Sequence, residues 1–172
     1  MKNTKQLVLA AFFLALGIIL PFFTAQIGAI GSKLLPMHFP VLIAGFVCGG
    51  PLGFLVGFIT PILRSVMFGM PPMFPTALAM AFELGGYGLL TGLLYQKMKK
   101  TPLNTYIILI TSMIGGRVIW GLVSVVLYSM ANNPFAFEMF ISGAFLNAIP
   151  GIILQIIIVP IIILALEKQH LI

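Results

Sequence analysis

Between Lys5 and Lys97 the only formally charged residues are Lys33, Arg64 and Glu83, and between Lys100 and Glu167 only Arg117 and Glu138. A chain so depleted of charge has no surface to offer water. Its 172 residues are 60% hydrophobic and 7% charged, and the mean hydropathy is +1.17. Those values exclude a water-soluble domain and an ordinary disordered chain. At roughly 20 residues per crossing, the length accommodates about six spans with little left for loops. The expectation is one membrane domain over residues 1–172, without a catalytic appendage.

The formal charge of +6 is not a nucleic-acid signature. Lys2 and Lys5 open the chain, Lys97, Lys99 and Lys100 form one short run, and Lys168 nearly closes it. Cations at span ends are what the positive-inside rule predicts. The single cysteine, Cys48, lies in an apolar run, where it reads as a small lipid- or helix-facing residue. The opening Met-Lys-Asn-Thr-Lys-Gln imitates a signal peptide. The apolar run from Leu7 to about Phe23 outlasts one, however, and no polar mature domain follows, so it is kept as the first span.

Six apolar segments emerge: Gln6 to Ala25, Met37 to Gly49, Leu52 to Phe68, Phe74 to Tyr95, Leu103 to Met130 and Met139 to Leu166. Gly and Pro clusters separate them, at Gly49-Gly50-Pro51, Gly69-Met70-Pro71-Pro72, Lys97 to Pro102 and Asn132-Asn133-Pro134. Nothing alternates with a period of two, so a β-barrel is disfavoured and the fold class is an all-α bundle of six transmembrane helices. Segments two and three are short and carry Pro40 and Pro61. Irregular backbone at membrane depth must be buried in protein or line a cavity, so they belong either to a tightly kinked bundle or to a pocket wall. Six crossings put both termini on one side. The lysines make that side cytoplasmic, with Lys33 alone in an opposite loop. Residues 26–36, 69–73 and 131–138 then face outward.

Polar groups inside apolar segments are costly and therefore informative. They are Arg64, Glu83, Arg117, Asn147 and Gln155. Glu83 lies roughly 13 Å below the outer end of its segment by helical rise. Asn147 sits at a similar depth and Arg117 near the midplane. Arg117, Trp120, Ser124 and Tyr128 follow one another at intervals of 3, 4 and 4, which is one helix face. Glu83 and Tyr87 are four apart. Two readings follow. In one, Glu83 and Arg117 form a buried ion pair that fixes register, with Trp120 and Tyr128 as interfacial anchors. In the other, these faces and Asn147 converge on a cavity for a small polar organic ligand. Arg64 either snorkels to the interface or meets an anion at the mouth. His38, within Leu35-Pro36-Met37-His38-Phe39-Pro40, has no second His or Cys at ligand spacing, so no metal is expected, and His170 is a tail residue. Zincin, nucleophile-elbow and P-loop motifs are absent, so no cofactor, no enzymatic chemistry and no ATP hydrolysis by this chain are expected. Ala11 and Ala15, and Gly53 and Gly57, are small residues four apart that permit close helix approach, within the bundle or with a partner.

The stretch Leu35-Pro36-Met37-His38-Phe39-Pro40-Val41-Leu42-Ile43-Ala44-Gly45-Phe46, then Gly50-Pro51-Leu52-Gly53-Phe54-Leu55-Val56-Gly57, resembles the signature of S components of energy-coupling factor (ECF) vitamin transporters. Phe82-Glu83-Leu84-Gly85-Gly86-Tyr87-Gly88-Leu89 is similar to the fourth segment of that family, and Ala11 and Ala15 match its alanine motif. The resemblance covers the whole chain. It implies a prokaryotic plasma-membrane subunit that captures one water-soluble vitamin from outside, with the loop after segment one as a gate. It also implies docking through Ala11 and Ala15 on a scaffold subunit driven by two ATPases. Substrate contacts are expected from Glu83, Tyr87, Arg117, Trp120, Ser124 and Asn147, with Arg64 and His38. The cations favour an anionic vitamin, pantothenate first, because guanidinium pairs well with carboxylate. The aromatic residues would also suit a flat heterocycle such as pyridoxine, a pyrimidine precursor or riboflavin. A solitary secondary transporter or channel, or a structural subunit, is the rival. The first usually shows internal repeats, which are not evident here.

Overall fold

Gly49 ends one helix and launches the next. Its φ of 87° is left-handed, its N–H bonds the Gly45 carbonyl, and Gly50-Pro51 begins a new helix at once. The computed structural model describes residues 2–26, 28, 31, 33–133 and 135–172, with side chains from Thr4 onward. Seven helices can be placed: α1 (Lys2–Ala25), α2 (His38–Cys48), α3 (Gly50–Phe68), α4 (Leu78–Lys97), α5 (Pro102–Met130), α6 (Phe137–Ile141) and α7 (Ile149–Lys168). Two π-type turns, Met73–Ala77 and Ser142–Leu146, lead into α4 and out of α6. No strand occurs among the described residues. Part of the expected 26–36 gate, and Pro134, lie outside them.

Local signals set most boundaries. Gly69 closes α3 in the left-handed region, its N–H bonding the Ser65 carbonyl. Thr101 caps α5, its hydroxyl accepting from the Asn104 N–H at 3.3 Å, with Pro102 in the first turn. Five helical stretches are long and apolar enough to cross a membrane: α1, α3, α4 with its leading turn, α5 and α7. Helix α2, at 11 residues, rises only about 16 Å, and Phe137–Leu146 is also short. The sixth apolar segment is not one helix. It breaks near Asn147, where Pro150 has no N–H to give the preceding turn.

Helix α4 is the hub, packed against α2, α3 and α5; α1 covers α2 and α3, and α7 closes on α5 and α2. Helix α2 is apolar on every side because it is enclosed on every side, with Val41, Leu42 and Ala44 fully buried. Cys48 is buried too, facing helices rather than lipid. The α3–α4 seam approaches backbone to backbone. A Cβ at Gly57 would lie 2.2 Å from the Leu84 carbonyl oxygen, and one at Gly88 would lie 2.1 Å from that of Gly53. The Gly53/Gly57 spacing thus serves packing within the bundle. Helix α5 is inside-out by soluble standards. Thr105, Ser112, Gly116, Arg117 and Ser124 face inward, while Ile107, Ile110, Ile114, Val118, Leu122 and Val125 face outward. That pattern suits lipid outside and a polar interior within.

Candidate functional site

At the bundle end opposite the Lys97–Lys100 turn, four elements meet around a chamber of ≈160 Å³. Helix α2 contributes His38 from its first turn. The turn into α4 gives Thr76, and α4 itself gives Met80 and Glu83. Helix α5 supplies Arg117 and Trp120. The break after α6 supplies Gly143, Ala144 and Ala148, and Leu35 completes the wall.

The charged residues of the chamber are buried, and Glu83 and Arg117 are not paired with each other. Glu83 Oε1 accepts from the Tyr87 hydroxyl at 2.7 Å, and His38 Nε2 lies 3.7 Å from the same oxygen. That approach is beyond hydrogen-bond range and is ionic only when the imidazole is protonated. Arg117, 3% exposed, spends its guanidinium on backbone: Nε donates to the Ala144 carbonyl at 2.6 Å and Nη1 to the Met113 carbonyl at 3.2 Å. Its Nη2 has no partner among the described residues, and neither has His38 Nδ1. The expected alternative of a Glu83–Arg117 ion pair is not formed; both side chains converge instead on Tyr87, whose ring lies 5.8 Å from the Arg117 Cζ. A buried guanidinium with an unfilled donor, beside a carboxylate that does not neutralise it, is an unfinished polar network.

Trp120 lines this chamber and also an outer mouth of ≈450 Å³, shared with Tyr128, Phe135, Glu138, Met139, Ser142, Gly143 and Asn147. Its indole lies on Gly143, where a Cβ would come within 2.8 Å of the ring, and it meets the Phe135 ring edge-to-face at 5.4 Å. Trp120 is therefore the wall between the two spaces.

Of the residues singled out in the sequence, His38, Glu83, Arg117 and Trp120 come together, and Tyr87 backs Glu83 from below. Asn147 is exposed in the mouth, where its Nδ2 donates to Ser142 Oγ at 2.9 Å. Ser124 is buried, lines neither space and has no hydrogen-bond partner among the described residues. Arg64 lies elsewhere: it donates to the Ile18 carbonyl at 2.6 Å and sits over the rings of Phe22 and Phe68. That arrangement ties α3 to α1. Thr76, 3.3 Å from the Tyr128 hydroxyl, Met80 and the Gly143–Ala144 backbone were not foreseen as wall residues. The kink that carries Thr76 was foreshadowed by Pro71, Pro72 and Pro75.

The family model for the substrate-specific component of ECF transporters matches residues 5–163. The chain belongs to that family. Comparisons with curated proteins and with solved structures yield no match. This S component is thus a multi-pass membrane protein and a substrate-binding subunit of an ECF transporter rather than an enzyme. The place for its substrate must be a cavity reachable from one face. The chamber and its mouth combine burial, charge and an aromatic wall in the way small-molecule sites do.

Proposed function

We propose that this S component captures a small water-soluble vitamin bearing an anionic group, holds it in the chamber behind Trp120, and hands it to a scaffold subunit powered by two ATPases. The observation that carries this reading is Arg117, a buried cation whose Nη2 has no partner among the described residues, in a cavity it shares with Glu83 and His38. A carboxylate or phosphate would complete that guanidinium. Counting α2 and the broken α6–α7 segment as one crossing each gives six. Both termini then share the cytoplasmic side with Lys97, Lys99 and Lys100 of a prokaryotic plasma membrane, and the chamber opens outward. Judged by Arg117 alone, pantothenate leads, from its carboxylate. A flat heterocycle is the second, because the Trp120 ring lines both spaces. Glu83, Arg117, Trp120 and His38 form the binding set, Tyr87 positions Glu83, and Asn147 meets ligand in the mouth. Ser124 and Arg64 are left to structural roles.

The test is titration of the purified chain, without ATPase partners, against a panel of vitamins, read by emission of Trp120, its sole tryptophan, and by calorimetry. Binding with a spectral change is expected. A panel that binds nowhere, or binds without moving the emission, overturns the site.

Coupling to the scaffold rests on other residues. Ala11 and Ala15 are exposed on α1, and Ala11 borders a shallow apolar groove with Leu7, Leu14, Leu52 and Leu55. Replacing both alanines by Leu should block close approach of a partner helix. Substrate affinity should survive while ATP-driven uptake in reconstituted vesicles falls. Uptake on an ion gradient by this chain alone would point to a solitary transporter instead.

A further inference from the structure

The polar equipment of the chamber has two ends, and they ask for opposite partners. At one end Arg117 Nη2 is a buried N–H donor without an acceptor among the described residues. At the other, Glu83 presents a carboxylate whose Oε1 takes the Tyr87 hydroxyl, while no described group donates to Oε2. His38, 3% exposed, leaves Nδ1 without a partner among the described residues. Glu83 and Arg117 form no ion pair with each other although they share one small cavity, and the His38 approach to Glu83, at 3.7 Å, is ionic only when the imidazole is protonated. Stranding opposite charges separately in a low-dielectric site is expensive. Closing one gap with an anion would leave the other open, because a simple carboxylate brings nothing to Glu83. A ligand with a charge of each sign closes both.

We infer that the chamber selects an amphoteric ligand, with a carboxylate or phosphate directed to Arg117 and a basic nitrogen directed to Glu83 and His38. The inference rests on the binding role proposed above and narrows it. It places zwitterions ahead of pantothenate, which brings an anion but only amide and hydroxyl donors. A volume of ≈160 Å³ is about five waters at ~30 Å³ each, so the doubly charged part is small. Any remainder of a larger ligand passes Trp120 into the mouth.

The experiment uses ω-amino acids from glycine to 6-aminohexanoate as probes, since chain length samples the unknown separation of the two charges. Each is matched with the fatty acid and the amino amide of the same length. Binding to the full chain in nanodiscs is read by calorimetry, thermal shift and Trp120 emission. At one chain length the zwitterion should bind about tenfold tighter than either single-charge analogue, the size of one charged hydrogen bond. Glu83→Gln should erase that advantage and leave the fatty acid unchanged, and the ligand-free variant should melt no lower than the parent. Arg117→Met should weaken both carboxylate-bearing probes, with Arg117→Lys retaining part of the binding. Fatty acids that bind as well as their zwitterions, a Glu83→Gln that weakens both alike, or silence of every probe overturns the inference. A vitamin that binds through Arg117 with no basic nitrogen would overturn it too, while leaving the proposed transport role standing.

Discussion

The α3–α4 seam and the α5–α6–α7 corner are built from the same apolar alphabet and reach opposite ends. At the seam, glycines bring backbones so close that no side-chain atom fits between them. At the corner, the helix breaks at residues 142–148, a tryptophan serves as a partition, and buried polar atoms lack partners among the described residues. Close backbone approach gains dispersion and weak Cα–H···O contacts along the whole seam, which suits a frame. Unfilled hydrogen-bonding capacity has a cost, and it is tolerated where a ligand can fill it. In this S component the rigid half carries Glu83 and the yielding half carries Arg117, so the chamber lies where they meet.

The contrast breaks most sharply at the seam. Gly88→Val drives side-chain atoms into the Gly53 carbonyl, a clash that only movement of two helices relieves. A loss above about 4 kcal/mol is expected, seen as little monodisperse protein after membrane extraction. Wild-type yield and melting would show that the seam is looser than its distances say. Arg117→Met comes next. It removes two buried charged hydrogen bonds, one holding the Ala144 turn to α5 and one to Met113 within α5, at about 3 kcal/mol, yet the fold should survive because that corner already bends. The check is a lower melting temperature with retained helicity and lost substrate binding. Helicity that collapses as in Gly88→Val would erase the distinction. Gly143→Ala is the mildest of the three. The added methyl presses on the far edge of the Trp120 ring, which can swing toward the mouth, so about 1 kcal/mol is expected. Trp120 emission should shift and ligand release should quicken. An unchanged spectrum would mean that the ring does not rest on Gly143.

Much of the frame was legible because punctuation in the chain is physical. Gly49-Gly50-Pro51, Gly69 and Thr101-Pro102 fix helix ends through left-handed backbone and missing N–H groups, and the observed boundaries fall there within a few residues. The sixth segment misled because Ile, Leu and Phe run through it without a charge, and hydropathy does not register that Gly143, Asn147 and Pro150 cannot sustain one ladder. The candidate site was half legible. A carboxylate, a guanidinium and an indole in apolar surroundings announce themselves. Which of them meet does not follow from spacing on one helix. Ser124 shares a face with Arg117 and Trp120 but is packed away and lines neither space, although Trp120 and Tyr128 on either side of it line the mouth. Thr76 and the Ala144 carbonyl are ordinary in sequence and become wall and anchor only through a kink and a break.

The brevity of α2 has an electrical consequence. Its His38 end faces the chamber, and its Cys48 end reaches a second cavity of ≈270 Å³ beside Tyr95, Gln96 and Lys100. Between them stands about 16 Å of enclosed helix, half the thickness of a lipid core. In the orientation proposed above, with both cavities filled by water from their own sides, a transmembrane voltage would concentrate where the insulator is thinnest and most of the drop would fall along α2. A full crossing of 100 mV moves one charge through about 2.3 kcal/mol, but a ligand stopping in the chamber has traversed little of that field. Affinity measured from the chamber side in vesicles polarised by potassium gradients should therefore hold nearly constant when the sign of the voltage is reversed. A several-fold change would place the chamber deep within the field instead. Binding then draws almost nothing from the membrane potential, and whatever work carries a charged ligand inward is left to the step in which the field across α2 must be crossed or rearranged.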